Sequence, residues 1–99
     1  MDITKIQNQL RDFASERDWE QFHTPKNLAM ALSVEASELV EIFQWLTPDE
    51  SKSPDQKQHN SICSEVADIA MYLIRFCSVL DIDLEEAIKK KIVQNKDKY

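Results

Sequence analysis

The sequence predicts an all-α protein, a four-helix bundle formed by a single domain of 99 residues. The chain contains no glycine and only three prolines. Glycine-rich phosphate loops and tight β-hairpins both depend on glycine, so neither structure is expected. Apolar residues recur at helical spacing, and residues that commonly cap helices precede the apolar segments. Together these observations favour helices packed against helices.

The first two helices are predicted over about residues 2–17 and 25–44. The second follows Thr24, a good N-cap residue, and places Pro25 at the first helical position, where proline is favoured. The first is indicated by apolar residues at helical spacing: Ile3, Ile6, Leu10 and Phe13.

The second half of the chain predicts a loop and two further helices, over about residues 57–80 and 84–97. The loop reads TPDESKSPDQK and contains two of the three prolines. Capping pairs are predicted in the loop and at the start of the fourth helix: Thr47 with Glu50, and Asp83 with Glu86.

The third predicted helix is unusual because its apolar residues surround the helix axis. Between Val66 and Leu80 only Asp68, Arg75 and Ser78 are not apolar. A helix with this pattern is buried on all sides, and one short chain cannot easily cover it. We therefore expect subunits to pack around it in a homo-oligomer.

Composition argues against several classes of protein. The formal net charge of −6 argues against binding to a nucleic acid polymer. The segment 66–80 is too short and too charged to cross a bilayer, so no membrane association is expected. No secretory leader is recognisable, and Cys63 and Cys77 lie in apolar helical sequence without a metal-binding or disulfide pattern. A cytoplasmic protein with free thiols is therefore expected.

Two acidic pairs are the strongest candidates for chemistry. Glu35 and Glu38 share a face of the second predicted helix, and Glu65 and Asp68 share a face of the third. In an antiparallel hairpin both pairs would lie roughly 9–12 Å from the loop, between axes about 8–10 Å apart. Oxygen ligands in this arrangement suit Mg²⁺, with Mn²⁺ as a substitute. The alternative is that the acids face solvent and pair with lysines, and Glu41 is either an accessory ligand or an exposed acid.

The acidic pattern, E-x-x-E followed after 26 residues by E-x-x-D, resembles the signature of the all-α NTP pyrophosphatase superfamily, the MazG-like proteins. The chain is similar to the dCTP pyrophosphatase branch along nearly its whole length. The segments that carry the likeness are FASERDWEQFHTPKNLAMAL, EIFQW, EVADIAMYLI and IDLEEAIKKKIVQNKDKY. The chain departs from this branch at Leu10, where members can carry a histidine near the base, so the base preference stays open.

The resemblance implies a Mg²⁺-dependent enzyme that hydrolyses a dCTP-like or modified deoxynucleoside triphosphate to the monophosphate and pyrophosphate. Such an enzyme would remove these nucleotides from the nucleotide pool. It also implies a homotetramer built as a dimer of dimers, or a dimer, in which neighbouring subunits close each site. The implied metal ligands are Glu35, Glu38, Glu65 and Asp68. Glu38 and Glu35 are the catalytic candidates, with Glu38 as the first choice for accepting the proton of the attacking water.

The expected substrate contacts involve the phosphates and the base. Lys91 and Asn95 lie one helical turn apart and are expected to hold phosphate oxygens. Aromatic faces can stack on a base, and the expected base contacts are Trp19, Phe22, Trp45 and Tyr72, with His23 at a base edge or a phosphate. Phe13 is expected in the core. An alternative function is a catalytically inactive helical oligomer that binds nucleotides or serves as an adaptor.

Overall fold

The computed structural model describes all 99 residues, which form helices and turns but no strand. The all-α prediction is therefore confirmed. The elements follow in this order: α1 (Ile3–Glu16), a 3₁₀ turn (Glu20–Phe22), α2 (Pro25–Phe43), α3 (Pro48–Ser51), α4 (Gln56–Val79) and α5 (Leu84–Lys98). The four predicted helices correspond to α1, α2, α4 and α5, with each end within one residue of its predicted position.

Side-chain caps begin all four long helices: those at Thr24 and Asp83 were predicted, whereas those at Asp2 and Asp55 were not. The predicted capping box in the loop is present, because Thr47 and Glu50 exchange reciprocal hydrogen bonds of 3.1 and 2.8 Å. At the start of α5 the Asp83 carboxylate accepts a hydrogen bond from the Glu86 N–H at 3.0 Å. Each such cap contributes about 1 kcal/mol. The N-cap residues of the long helices are Asp2, Thr24, Asp55 and Asp83.

Two helices end in a left-handed residue although the chain has no glycine. Asp18 after α1 and Asp81 after α4 have φ values of 55° and 56°. At the second site the Ile82 N–H donates to the Cys77 carbonyl at 2.8 Å, the long bond of a Schellman motif. Aspartate tolerates positive φ better than most residues with a Cβ. The two turns set the directions in which the next elements leave.

Asp81→Gly is expected to raise the free energy of unfolding by about 0.5–1 kcal/mol, because glycine removes the Cβ penalty at positive φ and its greater unfolded-state entropy offsets only part of that gain. Urea denaturation measures the difference. Asp81→Ala removes the same charge but keeps the Cβ atom, so it is the matched control. Equal stabilisation by both variants would attribute the effect to charge and contradict the backbone explanation.

Helices α2 and α4 form the main packed pair of the chain. Glu35 and Glu38 of α2 approach Glu65 of α4, whereas His23, just before α2, contacts Arg75 near the end of α4. Moving forward along α2 thus means moving backward along α4, so the pair is antiparallel, as the hairpin argument assumed. Helix α1 packs against α4. The buried apolar residues are Ala14, Leu28, Ile74 and Cys77.

The single chain leaves a large apolar surface exposed. On α4, Val66 is 51% exposed and Met71 is 45% exposed, so the all-round burial predicted for this helix is not reached within one chain. Helix α5 does not pack extensively against any other helix. Its residues Ile88, Ile92 and Val93 are all at least half exposed. None of the helices has the length and hydropathy that a bilayer crossing requires.

Candidate functional site

Three of the four predicted ligand residues form one acid cluster between α2 and α4. Glu35, Glu38 and Glu65 each direct a carboxylate oxygen to a common point, and these three atoms lie within 4.8 Å of one another. All three side chains are half-buried. The two α2 residues meet because they are three positions apart on one helix face, and the antiparallel packing brings Glu65 opposite them.

Asp68 lies one turn further along α4 and is not among the three converging carboxylates. It shares a face of α4 with Glu65, and its negative charge contributes to raising the pKa of Glu35. Glu41 is exposed and lines an open depression of about 370 Å³ together with Glu38 and Glu65. The acid cluster is therefore flanked by one further acid on each side.

The carboxylates of the acid cluster repel one another, and their pKa values reflect it. The pKa of Glu35 is raised first by the adjacent Glu65 carboxyl, with which it can share a proton, and then by burial. The pKa of Glu38 is raised first by the adjacent Glu35 carboxyl, with which it can share a proton, and then by the charge of that residue. None of the five ion pairs in the structure involves the cluster. The pairing with lysines that would make these residues ordinary surface acids is absent.

The acid cluster fits a divalent cation on chemical grounds. Oε2 of Glu35 and Oε2 of Glu65 are buried and accept no hydrogen bond. A buried carboxylate oxygen without a partner is destabilising, and either a shared proton or a cation removes that cost. Carboxylate oxygens are the ligands that Mg²⁺ and Mn²⁺ prefer. The donor set thus matches a hard divalent ion.

A small aromatic cavity lies beside the acid cluster. Its volume is about 130 Å³, and Asp68 belongs both to its wall and to the acidic neighbourhood. Trp19 packs edge-to-face on Phe13 with ring centroids 5.6 Å apart. The complete wall consists of Leu10, Phe13, Trp19, His23, Asp68, Met71, Tyr72 and Arg75. A flat ring bound there would lie next to groups held by the acid cluster.

His23 and Arg75 provide the polar part of the cavity wall. The Arg75 Nε–H donates to His23 Nδ1 at 3.2 Å, which joins residues 52 positions apart. The pKa of His23 is lowered, mainly by burial and then by the positive charge of Arg75, while Glu20 acts in the opposite direction. The histidine is thereby favoured in its neutral form.

Comparison with known proteins places the chain in a family. The sequence profile of the MazG-like family matches residues 30–99, a range that contains both acidic pairs. The chain belongs to the MazG-like family. A pyrophosphatase from Archaeoglobus fulgidus has a similar structure, with a TM-score of 0.94 and 38% identity over 100% of this chain and 93% of that one.

Curated relatives of this MazG-like chain include dCTP pyrophosphatase 1 from two mammals. The Bos taurus protein is 41% identical over 91 residues, and the Homo sapiens protein is 38% identical over 90 residues. Each match covers 89% of this chain but 53% of the relative, so the chain spans about half the length of these relatives. The predicted resemblance to the dCTP pyrophosphatase branch is confirmed.

The aromatic residues predicted to contact the base separate into two groups in this MazG-like structure. Trp19 and Tyr72 line the cavity together with His23. Phe22 and Trp45 do not, and they are 60% and 86% exposed. Their role in base binding stays a prediction, and within one chain they have no part in the cavity.

Sequence reasoning missed three residues of the cavity wall. Phe13, expected in the core, lines the cavity and is 46% exposed. Met71 and Arg75 were missed, although both share a helix face with Asp68 and Tyr72 by spacing alone. Met71 lies three residues after Asp68, and Arg75 lies three residues after Tyr72. The helical spacing that identified Tyr72 would therefore also have identified these two residues.

Lys91 and Asn95 lie on the exposed helix α5, apart from both the acid cluster and the cavity. Within one chain the structure therefore does not bring these two predicted phosphate contacts to the site. Ile88 and Ile92 are half exposed on the same helix. Ile88 and Ile92 are therefore available, together with Lys91 and Asn95, to contact a neighbouring surface.

Proposed function

We propose that the protein is a Mg²⁺-dependent nucleoside triphosphate pyrophosphohydrolase, which converts dCTP-like or modified deoxynucleoside triphosphates to the monophosphate and pyrophosphate and so clears them from the nucleotide pool. The observation that carries this proposal is the position of the acid cluster beside an aromatic cavity, with Asp68 adjoining both. A triphosphate and its base need two such neighbouring sites. The names of the relatives, dCTP pyrophosphatase 1 and pyrophosphatase, support the same reaction.

Glu35, Glu38, Glu65 and Asp68 would hold the metal, with Mg²⁺ as the natural ion and Mn²⁺ as a substitute. When bound, the metal would neutralise the negative charge of the phosphate oxygens and orient the triphosphate. The two unpartnered oxygens of Glu35 and Glu65 support this assignment, because a cation would satisfy both. The ligand shell needs only oxygen, which is all that these side chains offer.

The catalytic pair is Glu38 and Glu35. A water oxygen attacks the α-phosphorus, the bond from that phosphorus to the α,β-bridging oxygen breaks, and pyrophosphate leaves. Glu38 accepts the proton that the water loses, and its raised pKa makes it a stronger base than an ordinary glutamate. Carboxylate oxygens of Glu35 and Glu38 lie within 4.8 Å of each other, so Glu35 can orient Glu38. No side-chain nucleophile is required.

The base stacks on Trp19 and Tyr72, while a neighbouring subunit completes the site. We place Lys91 and Asn95 on the triphosphate of a neighbour, and Phe22 and Trp45 at the same interface, because all four are exposed in one chain. The half-exposed Ile88 and Ile92 of α5 supply the apolar contact. The assembly is a homotetramer built as a dimer of dimers, or a dimer in its smallest active form.

The cytoplasm is the compartment we propose for this activity. Neither cysteine forms a disulfide, since Cys63 is exposed, Cys77 is buried and both are free. Free thiols of this kind are usual in a reducing compartment, which is also where deoxynucleoside triphosphates are used.

A substrate panel tests the proposed function. The protein is incubated with Mg²⁺ and canonical or modified nucleoside triphosphates, and the products are separated. Equal amounts of monophosphate and pyrophosphate are expected from a dCTP-like substrate. Release of inorganic phosphate instead would exclude cleavage between the α- and β-phosphates. Nucleotide binding without turnover of any substrate would favour the alternative, an inactive nucleotide-binding or adaptor oligomer.

A further inference from the structure

Arg75 is a buried cation with no carboxylate partner in the chain. The residue is 8% exposed, and none of the five ion pairs includes it. A guanidinium placed in such surroundings is destabilising unless another interaction compensates. The compensating interaction in the structure is the 3.2 Å hydrogen bond from its Nε–H to His23 Nδ1. A surface arginine would stabilise the fold at lower cost, so this placement calls for a role at the cavity.

The direction of this hydrogen bond determines the state of the histidine. Arginine stays protonated and can only donate, so His23 Nδ1 must be the acceptor and must carry no hydrogen. A neutral imidazole with a bare Nδ1 has its hydrogen on Nε2. The tautomer follows from the chemistry of the donor and not from any placed hydrogen atom.

Both residues lie in the wall of the cavity that receives the base under the proposed function. The ring of His23 is 6.4 Å from that of Trp19 and tilted by 55° to it, so the two rings do not stack flat on each other. A base that contacts the face of Trp19 can therefore turn its edge toward the imidazole. Pyrimidine edges carry carbonyl and ring-nitrogen acceptors that an N–H can recognise.

We propose that Arg75 is a positioning residue that holds His23 as the Nε2–H tautomer, and that this N–H donates to an acceptor atom on the edge of the bound nucleobase. The proposal rests on the proposed function for the identity of the ligand. The Nε2–H group of His23 would then distinguish a base with an acceptor at this edge from a base with a donor there. With the opposite tautomer, His23 would offer an acceptor and reverse that preference.

The first test reads the tautomer directly, without any turnover. In protein labelled with ¹⁵N-histidine, imidazole NMR at neutral pH is expected to show the His23 hydrogen on Nε2. In Arg75→Met, which keeps an unbranched side chain as far as the position of Nε but removes the donor, we expect a mixture of tautomers. Arg75→Lys, which can still donate, is expected to restore the single form. A wild-type His23 protonated on Nδ1 would overturn the proposal, even if the variants failed to fold.

The second test measures binding of dCMP by calorimetry and so does not depend on catalysis. Arg75→Met and His23→Ala are each expected to weaken binding by about tenfold, the size of one lost hydrogen bond. The double variant should bind as weakly as His23→Ala alone, because Arg75 acts through the histidine. Additive losses would show that Arg75 contacts the ligand independently and would contradict a positioning role. Absence of hydrolysis with intact dCMP binding would defeat the proposed function but leave these outcomes readable.

Discussion

Glu38→Gln is expected to lower the turnover of dCTP by about 10²–10⁴-fold, the range associated with loss of a general base. The substitution keeps the size of the side chain and removes the oxygen that would accept the proton of the attacking water. A carboxylate oxygen of Glu38 lies within 4.8 Å of carboxylate oxygens of Glu35 and Glu65, so the same change also removes a proposed metal ligand. Steady-state release of pyrophosphate at saturating Mg²⁺ measures the loss.

Glu16→Gln is the matched control, because Glu16 is an exposed acid on α1 outside the acid cluster. It changes the net charge by the same amount and is expected to leave turnover within about twofold, as surface substitutions usually do. Without divalent cations, Glu38→Gln should unfold at a higher temperature than the wild type, because one of three mutually repelling carboxylates has been removed. Wild-type turnover in Glu38→Gln would refute the assignment of the site.

Lys91→Ala is expected to lower kcat/KM for dCTP by about 10–100-fold, the loss associated with one hydrogen bond to a charged group. The decisive measurement is the activity of mixed oligomers that contain both variants. Co-expressed subunits with Glu38→Gln and subunits with Lys91→Ala should recover about a quarter of wild-type activity in randomly mixed pairs, because some sites then combine an intact acid cluster with an intact partner helix.

The mixing experiment distinguishes whether Lys91 of α5 serves the acid cluster of its own chain or that of a neighbouring chain. If Lys91 served the acid cluster of its own chain, every mixed site would lack one of the two residues and no activity would return. The exposed helix and its half-exposed Ile88 and Ile92 favour the neighbour. Lys52→Ala, an exposed lysine on the loop that contains α3, controls for the loss of a positive charge.

The fold was predictable because the signals for its helices are local. A capping side chain and Thr24–Pro25 define the start of α2, and apolar spacing defines its length. The positive φ values at Asp18 and Asp81 were not predicted, since no glycine marks either turn. The 3₁₀ turn at Glu20–Phe22 has no side-chain cap to announce it and was also missed.

The candidate site was predictable to the extent that helix geometry determines it. Spacing along α2 placed Glu35 beside Glu38, and antiparallel packing brought Glu65 to them. The contact of Arg75 with His23 spans 52 positions, so no local pattern could reveal it. Phe22 and Trp45 remain exposed in one chain, so no contact within the chain tests their predicted role in base binding.

Anomalous diffraction from crystals containing Mn²⁺ and a non-hydrolysable α,β-imido analogue of dCTP tests whether the four acids bind the metal beside the nucleotide. We expect at least one Mn²⁺ peak bounded by carboxylates of Glu35, Glu38, Glu65 and Asp68, with the analogue's base against Trp19 and its phosphates on the ion. Bound analogue with these four side chains turned to solvent and no peak among them would contradict this expectation.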